Sequence, residues 1–536
     1  MQRFFSLYSW RYPLSLILLW SRHPNFAHYL RVYWHTSDFS SLNKIKSDLT
    51  RRERLVAMVL YAGIVLQLCT GLALLAAWHW NDLQGGWQFG LAVLLAYPIV
   101  WAHLLIVVVC AWWLAHPKAL GRAAICRMLE SQVRRLRKRH TFSVVAVAGS
   151  VGKTSTKIAI ARVLQASRQV LWQEGNYNDR VTVPLIFFDC VEPSIFNVPA
   201  WISLLVRNEF TLRRPYPYHT VVVELGTDTP GDIAQFAYIK PEVVVITAVT
   251  PEHMEFFGTL DNVAREELSV LNYAKRALVN IDDVPAQYLV DREYFGYGVH
   301  KDAPFRIAKR VAKGMHGQTV TFTLQDEQFS LTIPLLGEHG AKIALAAAAA
   351  AHMTGVPLAD VQNGVAAVSA FAGRMQVLEG IKGSTIIDDT YNSSPVAAKA
   401  ALDVLQSGEA PQRIVIMGSM NELGDYSPEA HREVGEYCDP TKLDWVIALG
   451  PDAKEYLAPV AKERGCQVKA FLDPYKAGEF VKKQLKEGAV VLAKGSQNRV
   501  FAEESLKTLL AHAEDEAKLV RQSPYWMGIK GKQFKP

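Results

Sequence analysis

The chain has 536 residues and a formal net charge of +7; half of its residues are hydrophobic and a fifth are charged. This length predicts more than one domain, and the composition excludes a disordered polymer, a collagen-like fibre and a disulfide-rich mini-protein. The positive charge suits either nucleic acid or a membrane surface as a partner, and the position of the basic residues decides between them.

Two uncharged runs, residues 55–81 and 83–117, dominate the N-terminal region. The first would form a helix roughly 40 Å long, enough to cross a hydrocarbon core of about 30 Å. Asp82 and a Gly-Gly turn separate the runs, so we predict a transmembrane hairpin with α-helices at about 55–80 and 89–115. A pair of buried core helices is the alternative. The apolar run 13–20 is too short to span and is expected at the membrane interface.

Basic residues flank both sides of the predicted hairpin, and the loop between its helices contains none. The positive-inside rule therefore places both termini and everything after residue 140 in the cytoplasm. Residues 118–139 contain eight basic residues and one acidic residue, Glu130, so this segment alone has the net charge of the whole chain. We interpret it as a juxtamembrane collar that contacts membrane lipid, and we expect no nucleic-acid partner.

After residue 140, short β-branched runs alternate with helical stretches, which is typical of parallel α/β architecture. Two period-two runs, 318–324 and 328–333, predict an antiparallel hairpin, and the alanine-rich stretch 341–351 predicts a tightly packed helix. A boundary near 369–374 divides two α/β units, and the basic tail after Ser523 is expected to be frayed. The other predicted strands are 143–148, 220–224, 242–247, 385–388, 413–417, 445–449 and 489–493.

The strongest local motif begins at Val144, where an apolar strand runs into GSVGKT (149–154) and then into a helical pattern. The glycines allow backbone N–H groups to face a phosphate, Lys153 can reach the terminal phosphates, and the Thr154 hydroxyl can bind Mg²⁺. The motif predicts a nucleotide-binding P-loop of a shorter variant, because Val147 stands where the general motif has glycine. A strand–helix turn without a nucleotide is the alternative.

Two further strands end in candidate metal ligands. Glu224 follows three valines, the position of a metal-facing carboxylate at the C-terminal edge of a parallel strand. The next strand leads through VTPEHMEFF, which brings His253 into the following loop. A lone histidine is also commonly structural, so this residue alone does not establish a metal site.

Taken together, these segments resemble the Mur ligases, and within that family the enzymes that add D-alanyl-D-alanine to a UDP-muramoyl peptide. The likeness covers roughly residues 141–515 in family order. It is carried by GSVGKT, GNYNDRVTVPL from Gly175, ELGTDTPGDI from Glu224, PEHMEFFGTLDNVA from Pro251, Gly373-Arg374, IIDDTYNSSPVAAKAAL from Ile386, RIVIMGSMNELGDYSPEAHREVG from Arg413 and LAKGSQNR from Leu492.

The resemblance implies a P-loop mononucleotide-binding central domain at 141–370 and a Rossmann-like C-terminal domain at 371–536. The membrane region 1–140, predicted from its apolar runs, precedes them. It also implies an ATP-dependent, ADP-forming acid–amino-acid ligase that uses Mg²⁺ and an acyl-phosphate intermediate in peptidoglycan biosynthesis. The expected partners are a muramoyl-peptide substrate and an amino-acid or dipeptide amine. Together with the hairpin, the resemblance predicts a location in the inner membrane of a bacterium.

The resemblance also suggests roles for individual residues. Asn176 and Asn392 could instead be turn residues, and Lys494 a solvated strand end. The catalytic set is Lys153, Glu224, His253, Glu267 and Arg374; the metal set is Thr154, Glu224, His253 and Glu267; the nucleotide set is Gly149, Ser150, Val151, Gly152, Lys153, Thr154, Ser155, Asn280, Asp282, His339, Arg374 and Asp389; and the substrate set is Asn176, Asn178, Tyr391, Asn392, Lys494 and Ser496.

One departure from the family concerns metal binding. The family usually has a carbamylated, metal-bridging lysine fourteen residues after the histidine that corresponds to His253, and this chain has Glu267 there. A glutamate supplies a carboxylate directly, so Glu267 could bridge metal ions without CO₂. The alternative is a charge on the surface of a helix.

Three other departures concern the base, the C-terminal domain and the substrate. Near the adenosine, the family's His-Asn element is His339-Gly340 here, and Ile343 replaces a later asparagine. Ser419 stands where the family often has aspartate. The membrane region replaces the family's UDP-binding domain, which leaves open whether the muramoyl substrate is soluble or lipid-linked.

Three other functions remain possible at this stage. A membrane-bound polyglutamate-type ligase would share the ATPase core, although the DDTYNSSP and MNELG segments favour the D-alanyl-D-alanine type. A membrane-anchored ATPase would not need an amine-binding C-terminal domain. A nucleotide-binding scaffold without chemistry would account for the changes at Glu267 and Gly340.

Overall fold

The computed structural model describes residues 117–175, 177–194, 197–497 and 499–534. Residues 129–192 and those from Ser203 onward form one compact unit, which contains the site discussed below. The described helices are α1 (Pro117–Arg139), α2 (Lys153–Gln165), α3 (Thr182–Ile186), α4 (Val198–Arg213), α5 (Met254–Phe257), α6 (Leu260–Glu267), α7 (Gly337–Met353), α8 (Leu358–Ala366), α9 (Pro395–Ser407), α10 (Ser427–Tyr437), α11 (Ala458–Glu463), α12 (Pro474–Gln484) and α13 (Pro524–Gln533).

The first sheet has nine strands within the described residues, in the order β2-β3-β1-β4-β5-β6-β7-β8-β9. It is parallel from β2 to β7 and antiparallel from β7 to β9, which confirms the predicted hairpin. The carboxyl ends of β1, β3 and β4 meet at one edge, where a parallel sheet binds its ligand. The strands are β1 (Ser143–Ala148), β2 (Val170–Leu171), β3 (Thr220–Glu224), β4 (Val243–Ile246), β5 (Ala277–Asn280), β6 (Phe295–Gly298), β7 (Phe305–Ala312), β8 (Gln318–Leu324) and β9 (Glu327–Ile333).

The alanine-rich stretch forms helix α7, as predicted. Its alanines are fully buried, and the helix packs against α2, the helix that follows the P-loop. Small side chains allow two helices to approach closely while the interior stays densely packed. Helix α7 therefore supports helix α2.

The second sheet has six strands within the described residues, in the order β10-β11-β15-β12-β13-β14. Only the β10–β11 pair is antiparallel. The two sheets confirm the predicted α/β fold with a P-loop unit and a Rossmann-like unit; the domain boundary near residue 370 stays a prediction. The strands are β10 (Gln376–Glu379), β11 (Thr385–Asp389), β12 (Arg413–Gly418), β13 (Trp445–Leu449), β14 (Val468–Phe471) and β15 (Val490–Lys494).

The membrane placement predicted from the sequence is wrong. No helix in the part of the chain that the structure describes is long and apolar enough to cross a membrane. The predicted spans at about 55–80 and 89–115, and the apolar run 13–20, lie outside the described residues. The prediction of an inner-membrane protein with two transmembrane helices is contradicted and is not retained.

The basic segment interpreted as a lipid-binding collar forms helix α1, and several of its side chains bind protein groups. Arg135 forms a salt bridge with Glu209. Arg137 donates to the backbone carbonyls of Phe142, at 2.6 Å, and Lys240, at 3.0 Å. These contacts engage two of its basic residues within the protein, and the prediction of membrane lipid as a partner has no support in them.

The C-terminal tail is helical over residues 524–533, which overturns the expected frayed end. Residues 524–533 form helix α13, and the side chain of Lys530 within it is fully buried. The ring of Trp526 contacts that of Phe501. The sequence pattern was misleading because Lys530, a basic residue of this tail, has the buried carboxylates of Glu503 and Glu504 as partners.

Candidate active site

The P-loop joins β1 to α2 in the predicted way. Gly149 and Gly152 have φ values of 117° and 84°, which side chains rarely adopt. A Cβ at Gly149 would lie 2.5 Å from Thr247 Oγ1 and 2.9 Å from the backbone of Ala248, so only glycine fits there. The loop thus runs close to the end of β4, and the N-terminus of α2 opens toward the sheet edge, as an anion site requires.

The remaining P-loop residues lie in the first turn of α2 or beside it. Thr154, Ser155 and Ser150 are buried, and Ser150 Oγ accepts a hydrogen bond from Thr250 N at 3.1 Å. Val151 is half-buried. The exposed side chain of His339 lies next to this loop. A Cβ at Gly152 would be 3.3 Å from its Cε1 atom. His339 and the P-loop are therefore close together, and the assignment of both to the nucleotide stays a prediction.

The Lys153 ammonium lies among carboxylates. Its Nζ atom is 3.5 Å from Glu252 Oε2 and 3.8 Å from Glu267 Oε1, and it donates to Ser150 O at 3.1 Å. Burial lowers the pKa of Lys153, but the charges of Glu252, Glu267 and Glu224 raise it by more, so its pKa lies above the ordinary value. Lys153 is therefore a cation at neutral pH, as a phosphate-binding lysine must be.

Glu267 lies under the P-loop and not on a helix surface. Its side chain is 2% exposed, and its Oε2 atom accepts a hydrogen bond from Gly149 N at 2.7 Å. Burial raises the pKa of Glu267 to about 7, even though Lys153 and the Gly149 N–H group favour the ionised form. The position of Glu267 disfavours the surface-charge alternative and leaves a carboxylate aimed at the nucleotide loop.

Glu224, at the end of β3, forms a buried ion pair that the sequence analysis did not predict. Its Oε2 atom lies 3.3 Å from Lys157 Nζ, and both side chains are buried. Asn178 Nδ2 donates to Glu224 Oε1 at 3.1 Å, so this substrate candidate contacts a metal candidate. Lys157 also donates to Gly175 O at 2.8 Å. Asn176 lies outside the described residues.

The Lys157–Glu224 pair leads to a prediction on stability. Replacing Lys157 by methionine leaves a buried carboxylate without its cation, which costs about 3 kcal/mol or more in proteins. We expect Lys157→Met to lower the free energy of unfolding by about 3 kcal/mol and the double variant with Glu224→Gln to recover most of it. Urea denaturation measures both. A loss below about 0.5 kcal/mol in the single variant contradicts the assignment.

His253 connects the P-loop unit to the Rossmann-like unit at the C-terminal end of the chain. Its Nδ1 atom is 3.1 Å from Glu422 Oε2, and its Nε2 atom is 3.7 Å from Glu252 Oε1. Burial lowers the pKa of His253, but the hydrogen bond with Glu422 and the charge of Glu252 raise it by more, so its pKa lies above the ordinary value. The geometry therefore adds Glu252 and Glu422 to the group around His253.

The nucleotide candidates at the end of β5 lie in one hydrogen-bonded turn. Asn280 Nδ2 donates to Thr247 O at 2.9 Å and to Asp283 Oδ2 at 2.6 Å. Asp282 accepts from Val299 N and lies 3.1 Å from Lys342 Nζ. Asn280 is thus tied to the end of β4, whereas Asp282 lies next to helix α7.

The substrate candidates of the C-terminal unit also interact with one another. Lys494 is 2% exposed, and its Nζ atom lies 2.6 Å from Asp389 Oδ2 and donates to Asn392 O at 3.0 Å. Ser496 is buried, accepts from Asn421 N at 3.0 Å and donates to Ser393 O. Lys494 is therefore not the solvated strand end that was the alternative; it supports the loop after β11.

Arg374 lies against this loop. Its guanidinium carbon is 4.3 Å from the centre of the Tyr391 ring, a cation–π arrangement. Among the described residues its buried Nε atom has no hydrogen-bond partner. A buried guanidinium N–H group without a partner suits an anionic ligand.

Asp388, beside the predicted nucleotide ligand Asp389, leads to a prediction on pH dependence. Burial raises the pKa of Asp388 to about 6, although Thr390 donates two hydrogen bonds to it. The folded protein therefore holds a proton that the unfolded chain has lost, and stability falls as the pH rises from about 4 to about 6. A shift of about two pKa units corresponds to a change of about 3 kcal/mol in the free energy of unfolding.

The isosteric variant Asp388→Asn removes this titration. We expect its stability relative to the wild type to increase by about 3 kcal/mol between pH 4 and pH 7 and to stay constant above that. Urea denaturation at a series of pH values, with Asp403→Asn as an exposed control, measures the difference. A difference that does not change with pH contradicts the assignment.

No cluster of three or more His, Cys, Asp or Glu side chains that could hold a metal ion is found in the described ranges. Glu224 Oε2 is nevertheless buried without a well-oriented hydrogen bond, and two lysine ammonium groups lie against Glu224 and Glu267. Oxygen donors that already attract cations fit Mg²⁺.

The sequence analysis missed Glu252, Lys157 and Glu422. Each had a signal: Glu252 precedes His253, Lys157 lies one helical turn after Lys153, and Glu422 belongs to the quoted MNELG segment. None of these signals identifies a partner, because the partners come from other elements of the fold.

The sequence model described as Mur ligase middle domain matches residues 147–351, and that described as Mur ligase, glutamate ligase domain matches residues 373–497. The chain is 30% identical over 380 residues to the UDP-N-acetylmuramoyl-tripeptide–D-alanyl-D-alanine ligase of Haemophilus influenzae, covering 68% of this chain and 76% of that protein. The Bacillus subtilis enzyme of the same name is 28% identical over 378 residues, with the same coverage.

Solved structures show the same fold. The MurF ligase of Thermotoga maritima in complex with ADP superposes with a TM-score of 0.58 at 24% identity, covering 73% of this chain and 84% of that one. A MurF structure from Acinetobacter baumannii gives a TM-score of 0.59 at 22% identity, covering 72% and 79%.

Proposed function

The chain belongs to the Mur ligase family, and we propose that it is an ATP-dependent, ADP-forming ligase that joins D-alanyl-D-alanine to UDP-N-acetylmuramoyl tripeptide in peptidoglycan synthesis. The sequence models of both Mur ligase domains match the chain, and the relatives that bear this name cover 68% of it. The observations that carry the proposal are the P-loop with Lys153 between Glu252 and Glu267, and the cation–π pair of Arg374 and Tyr391.

The reaction requires two steps. A carboxylate oxygen of the tripeptide attacks the γ-phosphorus of ATP, and ADP leaves as the acyl phosphate forms. The dipeptide amine then attacks the acyl carbon and loses a proton, the C–O bond breaks, and inorganic phosphate leaves as the amide forms. The first step brings two anions together, so cations must offset their repulsion. Lys153 and Arg374 are the residues that we assign to this work.

Mg²⁺ supplies further positive charge on the phosphates when bound. Thr154, Glu224, His253 and Glu267 are the residues that would hold it. In this assignment Glu267 takes the place of the family's carbamylated lysine as a carboxylate that needs no CO₂. Its burial under Gly149, and not on the helix surface, supports this role.

The other candidates divide between nucleotide and substrates. We assign the backbone of the P-loop and the side chains of Ser155, Asn280, Asp282, His339 and Asp389 to ATP. Asn178, next to Glu224, is assigned to the tripeptide side. Tyr391, Asn392, Lys494 and Ser496 form the amine side, supported by the Lys494–Asp389 pair.

A coupled assay tests the function. The full chain is incubated with ATP, Mg²⁺, UDP-N-acetylmuramoyl tripeptide and D-alanyl-D-alanine, and ADP and the amide product are quantified. We expect amide formation, with one ADP released per amide, only when both substrates are present. ADP release without the substrates indicates a simple ATPase, and no turnover indicates a scaffold; either result contradicts the proposal.

A further inference from the structure

The segment from Arg499 to Phe534 folds back onto the C-terminal unit as a layer of its own. It follows residue 497, where the match to the glutamate ligase domain ends. Gln533 Nε2 donates to Arg499 O at 2.6 Å, and the ring of Phe534 contacts that of Phe501. The end of the segment is thus fastened to its beginning.

Four charged side chains are buried inside this layer. Lys530 Nζ lies 2.9 Å from Glu503 Oε1 and 2.6 Å from Glu504 Oε1, and it donates to Arg521 O at 2.9 Å. The side chains of Glu503, Glu504 and Lys530 are fully buried, and that of Arg521 is 6% exposed. Burying ion pairs costs desolvation that the pairing offsets at best, so stability alone is a weak reason for this cluster.

Arg521 links the cluster to the loop after β11. Its Nε and Nη2 atoms donate to the two oxygens of Glu503 at 2.9 and 2.6 Å. Its Nη1 atom donates to Tyr391 O at 3.0 Å, and Nη2 donates to Thr390 O at 2.5 Å. A guanidinium held on one carboxylate by two hydrogen bonds has a fixed orientation, so Arg521 fixes two consecutive carbonyl groups of the loop.

The same loop is held on its other side by the segment that contains Arg374. Tyr391 N donates to Gly373 O at 3.0 Å, and the Tyr391 ring lies under the Arg374 guanidinium. Val520, next to Arg521 in the chain, packs on Gly373, where a Cβ would lie 2.7 Å from Val520 Cγ1. The backbone of Tyr391 is therefore hydrogen-bonded on one side to Gly373 and on the other to Arg521.

We propose that Arg521, locked by Glu503 and Lys530, is a positioning residue that holds the loop at residues 390–392 in the conformation that binds the amine substrate. This inference rests on the proposed function, because it assigns the loop to the amine side. It makes the C-terminal segment a determinant of amine binding, separate from the P-loop and its nucleotide.

Steady-state kinetics test the proposal in the full chain. Arg521→Lys keeps the charge but loses the planar fork. We expect the KM for D-alanyl-D-alanine to rise about ten-fold, as the loss of one good hydrogen bond would give, while the KM for ATP changes less than about two-fold. Lys507→Met is the matched control, since Lys507 also pairs with Glu504, at 2.8 Å, but contacts neither Glu503 nor the loop. Equal KM changes for both substrates overturn the proposal.

Hydrogen exchange gives a second test that does not depend on ligase activity. Mass spectrometry of the native protein reports amide exchange in residues 388–396, where Thr390 N and Tyr391 N are hydrogen-bonded. We expect faster exchange there in Arg521→Lys than in the wild type and Lys507→Met, with no change in residues 144–160. Unchanged exchange in the loop overturns the proposal even if the wild type is an active ligase. If the wild type forms no amide, the proposed function is refuted. Hydrogen exchange in residues 388–396 then decides alone whether Arg521 positions the loop.

Discussion

Lys153→Met is expected to reduce the rate of ADP formation by about 10³-fold, because removing one preorganised charge from a phosphoryl-transfer site commonly costs this much. The protein should remain folded. Glu267, which loses its neighbouring cation, already has a pKa of about 7 and can take up a proton. ADP release under saturating substrates measures the effect, and circular dichroism confirms the fold.

The control for Lys153 is an exposed lysine on the same unit. Lys275 pairs with Glu242 at 2.6 Å on the surface and is 65% exposed. We expect Lys275→Met to keep full activity. If Lys153→Met keeps more than about a tenth of the wild-type rate, the loss is far below that expected for a phosphate-binding lysine and the P-loop assignment is wrong.

Glu267→Gln is expected to lower activity by about 10²-fold and to raise the Mg²⁺ concentration needed for half-maximal rate, because an amide is a much weaker metal ligand than a carboxylate. Glu266→Gln is the matched control. Glu266 is also buried but accepts hydrogen bonds from Gly231 N, at 2.6 Å, and Ile233 N, at 2.7 Å, away from the P-loop. It should lose stability without a change in the Mg²⁺ dependence.

The substitution Glu267→Lys tests the same residue by introducing the lysine that the family usually has at this position. A lysine at this position can react with CO₂ to form a carbamate, which restores a carboxylate at the end of a longer side chain. We expect Glu267→Lys to be nearly inactive in CO₂-free buffer and to recover with bicarbonate, while the wild type is indifferent to bicarbonate. Full activity of Glu267→Gln, or a wild type that requires bicarbonate, contradicts the assignment of Glu267.

The strands and the P-loop could be predicted because their signals are local. β1, β3 and β4 are runs of β-branched residues that are buried on both faces, and a glycine turn followed by lysine leads into α2. The alanine helix α7 was equally clear from composition. Such local patterns predict the structure well, because the apolar residues that indicate a strand or helix are the same residues that are buried in the core.

The contacts across the site could not be predicted in this way. Gly149 and Glu267 are 118 residues apart, and nothing near either residue indicates that one binds the other. The prediction of a frayed tail was wrong for the same reason. The sequence around Lys530 indicates a solvated charge, and only the fold places Glu503 and Glu504 beside it. Charged residues acquire their role from partners that only the fold supplies.

One isotope experiment tests the central claim most directly. UDP-N-acetylmuramoyl tripeptide labelled with ¹⁸O in the reacting carboxylate is converted in the presence of ATP and D-alanyl-D-alanine, and the inorganic phosphate is analysed by mass spectrometry. If the carboxylate attacks the γ-phosphorus, one ¹⁸O atom moves into phosphate for each amide formed. Unlabelled phosphate would show that ATP hydrolysis and amide formation are separate events, and it would contradict the acyl-phosphate mechanism.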